Sequence, residues 1–266
     1  MTGLIALPGL RPAETALIAR ANPVAKLAVA MVIPVALILT VDPVTAGTAL
    51  LLETLALPWC GVGPRRLLRS GWIVLLSAIP AGLITLFFAA DSGRVLADLG
   101  PVTISAGSAT AAAAIALRIL AIGLPGVVLI STTDPTDLAD ALAQVLRLPH
   151  RFVLSALAAL RLFGVLAQEW DALTMARRAR GFDTNGWAIG RVGGQIFALL
   201  VLAIRRATVL AMAMEARGFG VDRHRTWARP SRFGSADLAI ALGGLLIAVL
   251  ATVAGVASGY WHLVLA

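Results

Sequence analysis

Four long apolar segments, each close to the length needed to cross a lipid bilayer, constrain this 266-residue chain more than any other feature. They lie near residues 24–41, 71–90, 104–130 and 238–261, and a shorter segment near 44–59 adds a fifth if its ends extend into the interface. A helix that spans the hydrocarbon core needs about 20 mostly apolar residues. With 59% hydrophobic residues, a soluble domain of this size could not bury its apolar surface. We therefore predict an all-α integral membrane protein with about five transmembrane helices.

The distribution of basic residues predicts the orientation of these spans. The chain has a formal charge of +8, and all but one of its 22 lysine and arginine residues are arginine. Fourteen arginines lie between residues 134 and 235, whereas Arg94 is alone between the third and fourth spans. Basic loops remain on the cytoplasmic side of a membrane. We expect the N-terminus and the basic region inside and the C-terminus outside. Nucleic-acid binding is not indicated, because the chain lacks a continuous basic face with interleaved aromatic residues.

The chain divides into an N-terminal membrane part (1–133), a basic cytoplasmic region (134–235) and a C-terminal transmembrane helix (236–266). The basic region is predicted to form three helices, of which the first begins with Asp134 as its N-cap and Pro135 at its first helical position.

The second and third cytoplasmic helices are predicted over 151–180 and 187–217. Each contains arginine near its middle, at an insertion cost of about 2.5–3.5 kcal/mol per residue. We favour amphipathic helices packed under the membrane. The alternative has both helices crossing the bilayer, which leaves the predicted sidedness of the C-terminus unchanged.

A repeated eight-residue motif, here called the repeated phrase, ends both of these helices. It begins at Met175 as MARRARGF and returns 37 positions later, at Met212, as MAMEARGF, with six of eight positions identical. Arginine in the last turn of a helix is stabilised by the macrodipole, and the glycine after it permits a left-handed cap. One copy alone would be an ordinary basic C-cap. Two copies favour a surface that binds two similar partners.

The candidate binding residues are the alanine, arginine and glycine of each copy, which are Ala179, Arg180, Gly181, Ala216, Arg217 and Gly218. The guanidinium offers several donors in a fixed fork, and a small neighbour allows close approach. The expected supporting apolar anchors are Phe182, Phe219, Met175 and Met212. On the second cytoplasmic helix, one stripe at helical spacing leads to the arginine and comprises Leu166, Trp170, Leu173, Arg177 and Arg180.

Two ionisable residues fall inside predicted spans. Glu53 and Arg118 are each a functional hypothesis by default, and the simpler interpretation is a buried structural pair between the second and fourth spans, or snorkelling of the side chains to the interface. The fourth span also carries a small-residue face over Gly107, Ser108 and 111–114. Such faces permit close helix packing, either within the chain or against a membrane partner.

Catalytic motifs are not evident. A nucleotide-binding loop needs Gly-Lys-Ser/Thr, and the single lysine, Lys26, follows alanine. Asp134, Asp137 and Asp140 have a spacing that could hold Mg²⁺ in a membrane-bound transferase, but a second acidic cluster is missing. We predict a non-catalytic subunit with no catalytic residues and no metal or cofactor of its own.

The chain resembles the transmembrane T component of energy-coupling factor importers, the EcfT, BioN and CbiQ family, over nearly its whole length. The resemblance rests on both Ala-Arg-Gly ends, on Asn22-Pro23-Val24-Ala25-Lys26-Leu27 before the first span, and on Thr132-Thr133-Asp134-Pro135 with Leu138-Ala139-Asp140-Ala141-Leu142 after the fourth. The family is a non-enzymatic part of an ATP-driven vitamin or metal importer in the bacterial cytoplasmic membrane.

The resemblance implies that each Ala-Arg-Gly end docks one ATPase subunit, which binds ATP and Mg²⁺. It also implies that the membrane helices hold a substrate-binding S component. The difference between Arg177-Arg178 and Met214-Glu215 favours two non-identical ATPases. A conventional ABC permease, and less favoured a Mg²⁺-dependent membrane transferase, are the alternatives.

Overall fold

A computed structural model describes residues 18, 21–40, 42–59, 61, 64–89, 92–98, 103–181, 188–220 and 226–259. The described chain is almost entirely helical. In chain order its elements are α1 (Pro23–Ile38), α2 (Pro43–Ala56), α3 (Pro64–Phe88), β1 (Val95–Asp98), β2 (Thr103–Ser105), α4 (Ala106–Thr132), α5 (Pro135–Gln144), α6 (His150–Ala179), α7 (Ala188–Ala216) and α8 (Ser235–Ala257).

Side-chain caps fix the starts of several helices. Asn22 and Asp42 each precede a proline at the first helical position, where the missing N–H costs no hydrogen bond. The Asn22 Oδ1 accepts from the Val24 N–H at 3.0 Å, and the Asp42 Oδ2 accepts from the Thr45 N–H at 2.7 Å. Polar residues inside an apolar chain therefore mark where α1 and α2 begin.

The predicted helices agree with those of the structure, apart from two differences. The third helix begins at Pro64, seven residues before the predicted start at 71, because a basic segment can continue a helix into the interface. The loop after it contains the antiparallel pair β1–β2, which was not predicted because each strand has only three or four residues. The chain is an all-α membrane protein with this one small hairpin in its described part.

Five helices within the described residues are long and apolar enough to cross a membrane, but they are not the five that were predicted. They are α3, α4, α6, α7 and α8. The first two predicted spans form apolar helices of 16 and 14 residues, or about 24 and 21 Å at 1.5 Å per residue. Length and composition do not decide whether α6 and α7 cross the membrane. Their interpretation as amphipathic helices packed under the membrane stays a prediction.

Contacts divide the chain into two compact units. The core unit comprises Gly9–Ala141 and Ser231–Ala266, and the helix-pair unit comprises Met1–Pro8 and Leu142–Pro230. The helix-pair unit contains α6 and α7, and the core unit contains α1 to α4 and α8. The domain limits at 133 and 235 stay a prediction.

Small residues fill the centre of the core unit. Four helices meet there, and their buried residues are Ile33 and Leu37 of α1, Ala46 and Ala49 of α2, Ala121 of α4, and Ala248 and Ala251 of α8. Alanine at five of seven positions brings the helix backbones close together, which is how helices gain packing energy in lipid.

The small-residue face of α4 also packs within the chain. Ser108, Ala112 and Ala114 are buried, and a Cβ added at Gly107 would overlap Ser92. Gly82 of α3 approaches Ala112 and Ala116 so closely that an added Cβ would lie 3.4–3.5 Å from them. This agrees with the first of the two roles considered for the face.

Two adjacent glycines of α8 give a matched test of this packing. A Cβ at Gly244 would lie 2.6 Å from the Val29 Cγ2, whereas a Cβ at Gly243 has no atom within 4 Å. We expect Gly244→Ala to lower the unfolding free energy by about 1–3 kcal/mol, because the β-branched valine cannot turn away. Gly243→Ala should not lower it. The measurement is a titration with denaturing detergent, and equal effects of the two substitutions would contradict this packing.

Candidate docking surface at two helix ends

The two copies of the repeated phrase form equivalent helix ends. After α6, the Gly181 N–H donates to the Arg178 carbonyl at 3.0 Å, and Gly181 has φ +74°. After α7, the Gly218 N–H donates to the Glu215 carbonyl at 2.9 Å, and Gly218 has φ +77°. A positive φ is unfavourable for residues with a Cβ, so glycine permits the reversal at both positions.

The second end is a complete Schellman motif. The Phe219 N–H donates to the Met214 carbonyl at 2.9 Å, across the bond made by Gly218. The corresponding residue of the first copy, Phe182, lies outside the described residues. The left-handed caps predicted from the two glycines are confirmed.

The predicted binding residues lie at the surface. Arg180 and Arg217 are exposed, and within the described part of the chain neither guanidinium has a hydrogen bond or an ion pair. The alanine before each arginine is also exposed, and so are Met175 and Met212, at 63% and 56%. Phe219 is partly buried. Each end thus presents an unpaired cation beside small and apolar side chains.

Polar contacts hold α6 against α7. The Gln195 amide is buried and donates to the Trp170 carbonyl at 3.2 Å and to the Thr174 Oγ1 at 2.5 Å. Arg206 of α7 forms an ion pair with Glu169 of α6. These contacts fix how the two helices meet, and sequence reasoning missed them, because one glutamine in an apolar helix gives no pairing signal.

The stripe predicted to lead to Arg180 lies on the partly buried side of α6. Leu166, Trp170, Leu173 and Arg177 are partly buried, whereas the adjacent surface of α6 is exposed. The Arg177 guanidinium lies against Gly194 of α7, where an added Cβ would be 3.3 Å away. The stripe therefore serves helix packing, and Arg180 alone projects at its end.

Asp134 and Asp137, two of the three aspartates at the start of α5, interact with other groups of the chain. The Asp134 Oδ1 accepts from the Thr136 N–H at 2.7 Å, which confirms the predicted N-cap. Asp137 lies within electrostatic range of Lys26. In the described part of the chain, no three acidic, histidine or cysteine side chains are grouped so that they could hold a metal ion.

The predicted pair of Glu53 and Arg118 does not form. Both Glu53 carboxylate oxygens are buried without a hydrogen-bond partner, and Arg118 lies in the electrostatic range of Asp42 instead. Gly47 of α2, which lies between Asp42 and Glu53 in the chain, is beside Leu117 of α4. Glu53 is six residues further along α2, or about 9 Å. The influence of Asp42 on Arg118 was not predicted, because the distance between the two residues depends on helix packing.

Comparison with known proteins gives consistent matches. The family model described as CbiQ, cobalt transport protein, matches residues 14–227 and includes both helix ends. The energy-coupling factor transporter transmembrane protein EcfT of Limosilactobacillus fermentum is 31% identical over 194 residues, which are 66% of this chain and 73% of that protein. The proteins of the same name from Listeria innocua (31% over 191 residues; 66% and 70%) and Bacillus subtilis (30% over 190; 67% and 70%) are similarly related.

The left-handed caps predict a difference between two glycines of α7. We expect Gly218→Ala to cost about 1–2 kcal/mol locally, because alanine resists a positive φ, and to expose the last turn to hydrogen exchange. Gly193→Ala, within the helix and with no atom within 4 Å of an added Cβ, should cost nothing. Amide exchange by mass spectrometry separates the two, and unchanged protection of residues 214–219 in Gly218→Ala would contradict the cap.

The revised pairing predicts the outcome of two double-mutant cycles. Asp42→Asn and Arg118→Gln should be coupled by at least about 0.5 kcal/mol of unfolding free energy, because each removes one of two opposite charges that lie within electrostatic range. Glu53→Gln and Arg118→Gln should be additive. Detergent-induced unfolding provides the free energies, and coupling in the second cycle without the first would restore the original pair.

Proposed function

This chain belongs to the CbiQ cobalt transport protein family and is a transmembrane T component of energy-coupling factor transporters, and we propose that it transmits the ATP-driven motion of two ATPase subunits to a membrane-embedded substrate-binding S component. Uptake of a vitamin or a transition metal ion is the proposed outcome. The chain itself is proposed to be non-catalytic, with ATP and Mg²⁺ bound by the ATPases and the substrate selected by the S component.

One observation supports the two docking sites above all others. Arg180 and Arg217 are exposed cations on equivalent helix ends of the same unit, and neither has a partner in the described chain. A guanidinium binds carboxylates and carbonyl groups through several fixed donors. We propose that each arginine enters a polar groove on one ATPase subunit, with Met175 or Met212 contacting an apolar rim.

A charge difference between the ends supports two non-identical ATPases. Exposed Arg178 in the first copy occupies the position of exposed Glu215 in the second. An ATPase surface that suits the positive Arg178 beside Arg180 would carry negative charge. The same surface would repel the negative Glu215 beside Arg217, since like charges are disfavoured across an interface. Each end is therefore proposed to prefer its own ATPase subunit.

The contact between α6 and α7 supports the coupling role. Because Gln195 and the ion pair of Arg206 with Glu169 join the helices, a movement of one docked ATPase changes the angle at which the other helix is held. Closure of the ATPases on ATP is proposed to alter this crossing, and reopening to restore it. The S component would follow the resulting displacement of the membrane helices.

The location is proposed from charge. The predicted orientation puts the 134–235 region, with its 14 arginines, on the cytoplasmic face of the bacterial cell membrane, where the ATPases have access to ATP. In this arrangement α6 and α7 lie along the membrane with their exposed apolar residues toward lipid or partner proteins.

Charge reversal at either helix end tests the docking proposal. We expect Arg180→Glu or Arg217→Glu to reduce the ATPase recovered with the purified complex at least about tenfold, because a carboxylate replaces the central anchor. Substrate uptake by the reconstituted complex should be lost as well. The matched control is Arg151→Glu, an exposed arginine at the opposite end of α6.

Membrane insertion, followed by the yield of the chain in the membrane fraction, should be the same for all three variants. Wild-type ATPase recovery and uptake in the Arg180→Glu, Arg217→Glu double variant would overturn the docking assignment.

A further inference from the structure

Two stretches of the described chain connect the core unit to the helix-pair unit. The outgoing connection leaves α4 at Thr132 and continues through α5, and the returning connection runs from 226 to the start of α8. Within the described chain, a force that α6 and α7 exert on the core unit through the backbone passes along these stretches. The residues that bind these two connections to the core unit therefore lie on the path of such a force.

Lys26 holds the outgoing connection. Its Nζ donates to the Thr132 carbonyl at 3.0 Å, at the last residue of α4, and only 5% of the lysine is exposed. Asp137 of α5 and Asp237 of α8 lie within electrostatic range of the same ammonium group. A buried ammonium group requires such partners, since leaving it unpaired is costly. One side chain thus ties the α4–α5 junction to the first turn of α1.

Asn22 holds the returning connection. Its Nδ2 donates to the Ser231 Oγ at 2.9 Å and to the Arg232 carbonyl at 3.1 Å. The Asn22 N–H donates to the Asp237 Oδ1 at 2.5 Å, while the Asp237 Oδ2 accepts from the Gly234 N–H at 2.7 Å. The entry to α8 is therefore bound both by the side chain and by the backbone of Asn22.

Both connections consequently meet at the same place, the first turn of α1, which we call the α1 anchor (Asn22 and Lys26). A further bond joins the two connections within the helix-pair unit, where the Gln144 Nε2 donates to the Arg229 carbonyl at 2.9 Å. Helix α1 itself is packed into the buried centre through Ile33 and Leu37. A displacement that enters through either connection is thus delivered to a helix at the centre of the core unit.

We propose that Asn22 and Lys26 are positioning residues for transport, which pass the movement of the ATPase-docking helices to the membrane helices. The proposal rests on the coupling function given above and assigns it a transmission point that touches neither the ATPases nor the substrate. Loss of the α1 anchor leaves the docking ends intact. ATP hydrolysis then continues, but it is no longer converted into uptake.

The test measures substrate taken up per ATP hydrolysed, in proteoliposomes that contain the complete complex. Lys26→Met removes the ammonium group but keeps an apolar chain of similar length. We expect uptake per ATP to fall about tenfold, with ATP hydrolysis within about twofold of wild type, since a buried charge-assisted hydrogen bond is lost. Lys26→Arg keeps a donor for the Thr132 carbonyl and should recover most of the coupling.

A second variant separates coupling from folding. Asn22→Asp keeps an oxygen that caps α1 but loses both Nδ2 bonds to the returning connection. It should also lower uptake per ATP. The control is Arg232→Ala, because only the carbonyl of this exposed residue takes part. If the Lys26→Met complex cannot be recovered, the ratio from Asn22→Asp decides the outcome.

An unchanged ratio of uptake to hydrolysis would overturn the proposal, even where both rates or the yield decrease, because that is the result of a purely structural role. A wild-type complex without ATPase subunits or uptake would instead contradict the coupling function itself. The two failures are therefore distinguishable.

Discussion

Close approach of helix backbones is the constraint on which the rest of this structure depends. An apolar side chain gains little free energy when it exchanges lipid contacts for contacts with another helix, because both surroundings are apolar. Helices in a membrane therefore associate through dense packing and a few internal polar contacts. Alanine and glycine provide the first in the core unit, where Gly244 admits Val29 and Gly255 admits Thr45 and Asp42. The short helices α1 and α2 are held in place by this packing. Asn22, Lys26 and Asp42, the buried polar residues at their starts, form their hydrogen bonds within this arrangement.

Much of the helical architecture could be predicted from the sequence, for two physical reasons. An apolar stretch of sufficient length forms a helix in a membrane because every backbone group must be satisfied internally. Capping residues then give its limits, as Asp134 does for α5 and the two cap glycines do for α6 and α7. The repeated Ala-Arg-Gly phrase also identified the exposed arginines, because a duplicated helix end is an uncommon local pattern.

Pairing between elements could not be predicted in the same way. Glu53 lacks a hydrogen-bond partner, and Arg118 lies in the electrostatic range of Asp42; both follow from helix packing rather than from either helix alone. The α1 anchor has the same origin, since Asn22 and Ser231 are more than 200 residues apart in the chain. The one local indication of the α1 anchor is the position of the single lysine, Lys26, at the start of an apolar segment. Likewise, length and composition do not decide whether α6 and α7 cross the membrane or lie along it.

The contact at Gln195 divides the helix pair unequally. Along α6, Thr174 is seven residues from Gly181, or about 10 Å, whereas Gln195 is 23 residues from Gly218 along α7, or about 34 Å. The ion pair of Arg206 with Glu169, by contrast, lies 12 residues from Gly218 along α7 and 12 residues from Gly181 along α6. If each end docks an ATPase subunit, as proposed, symmetric closure of the two subunits would load the ion pair from equal distances and the Gln195 contact from unequal ones.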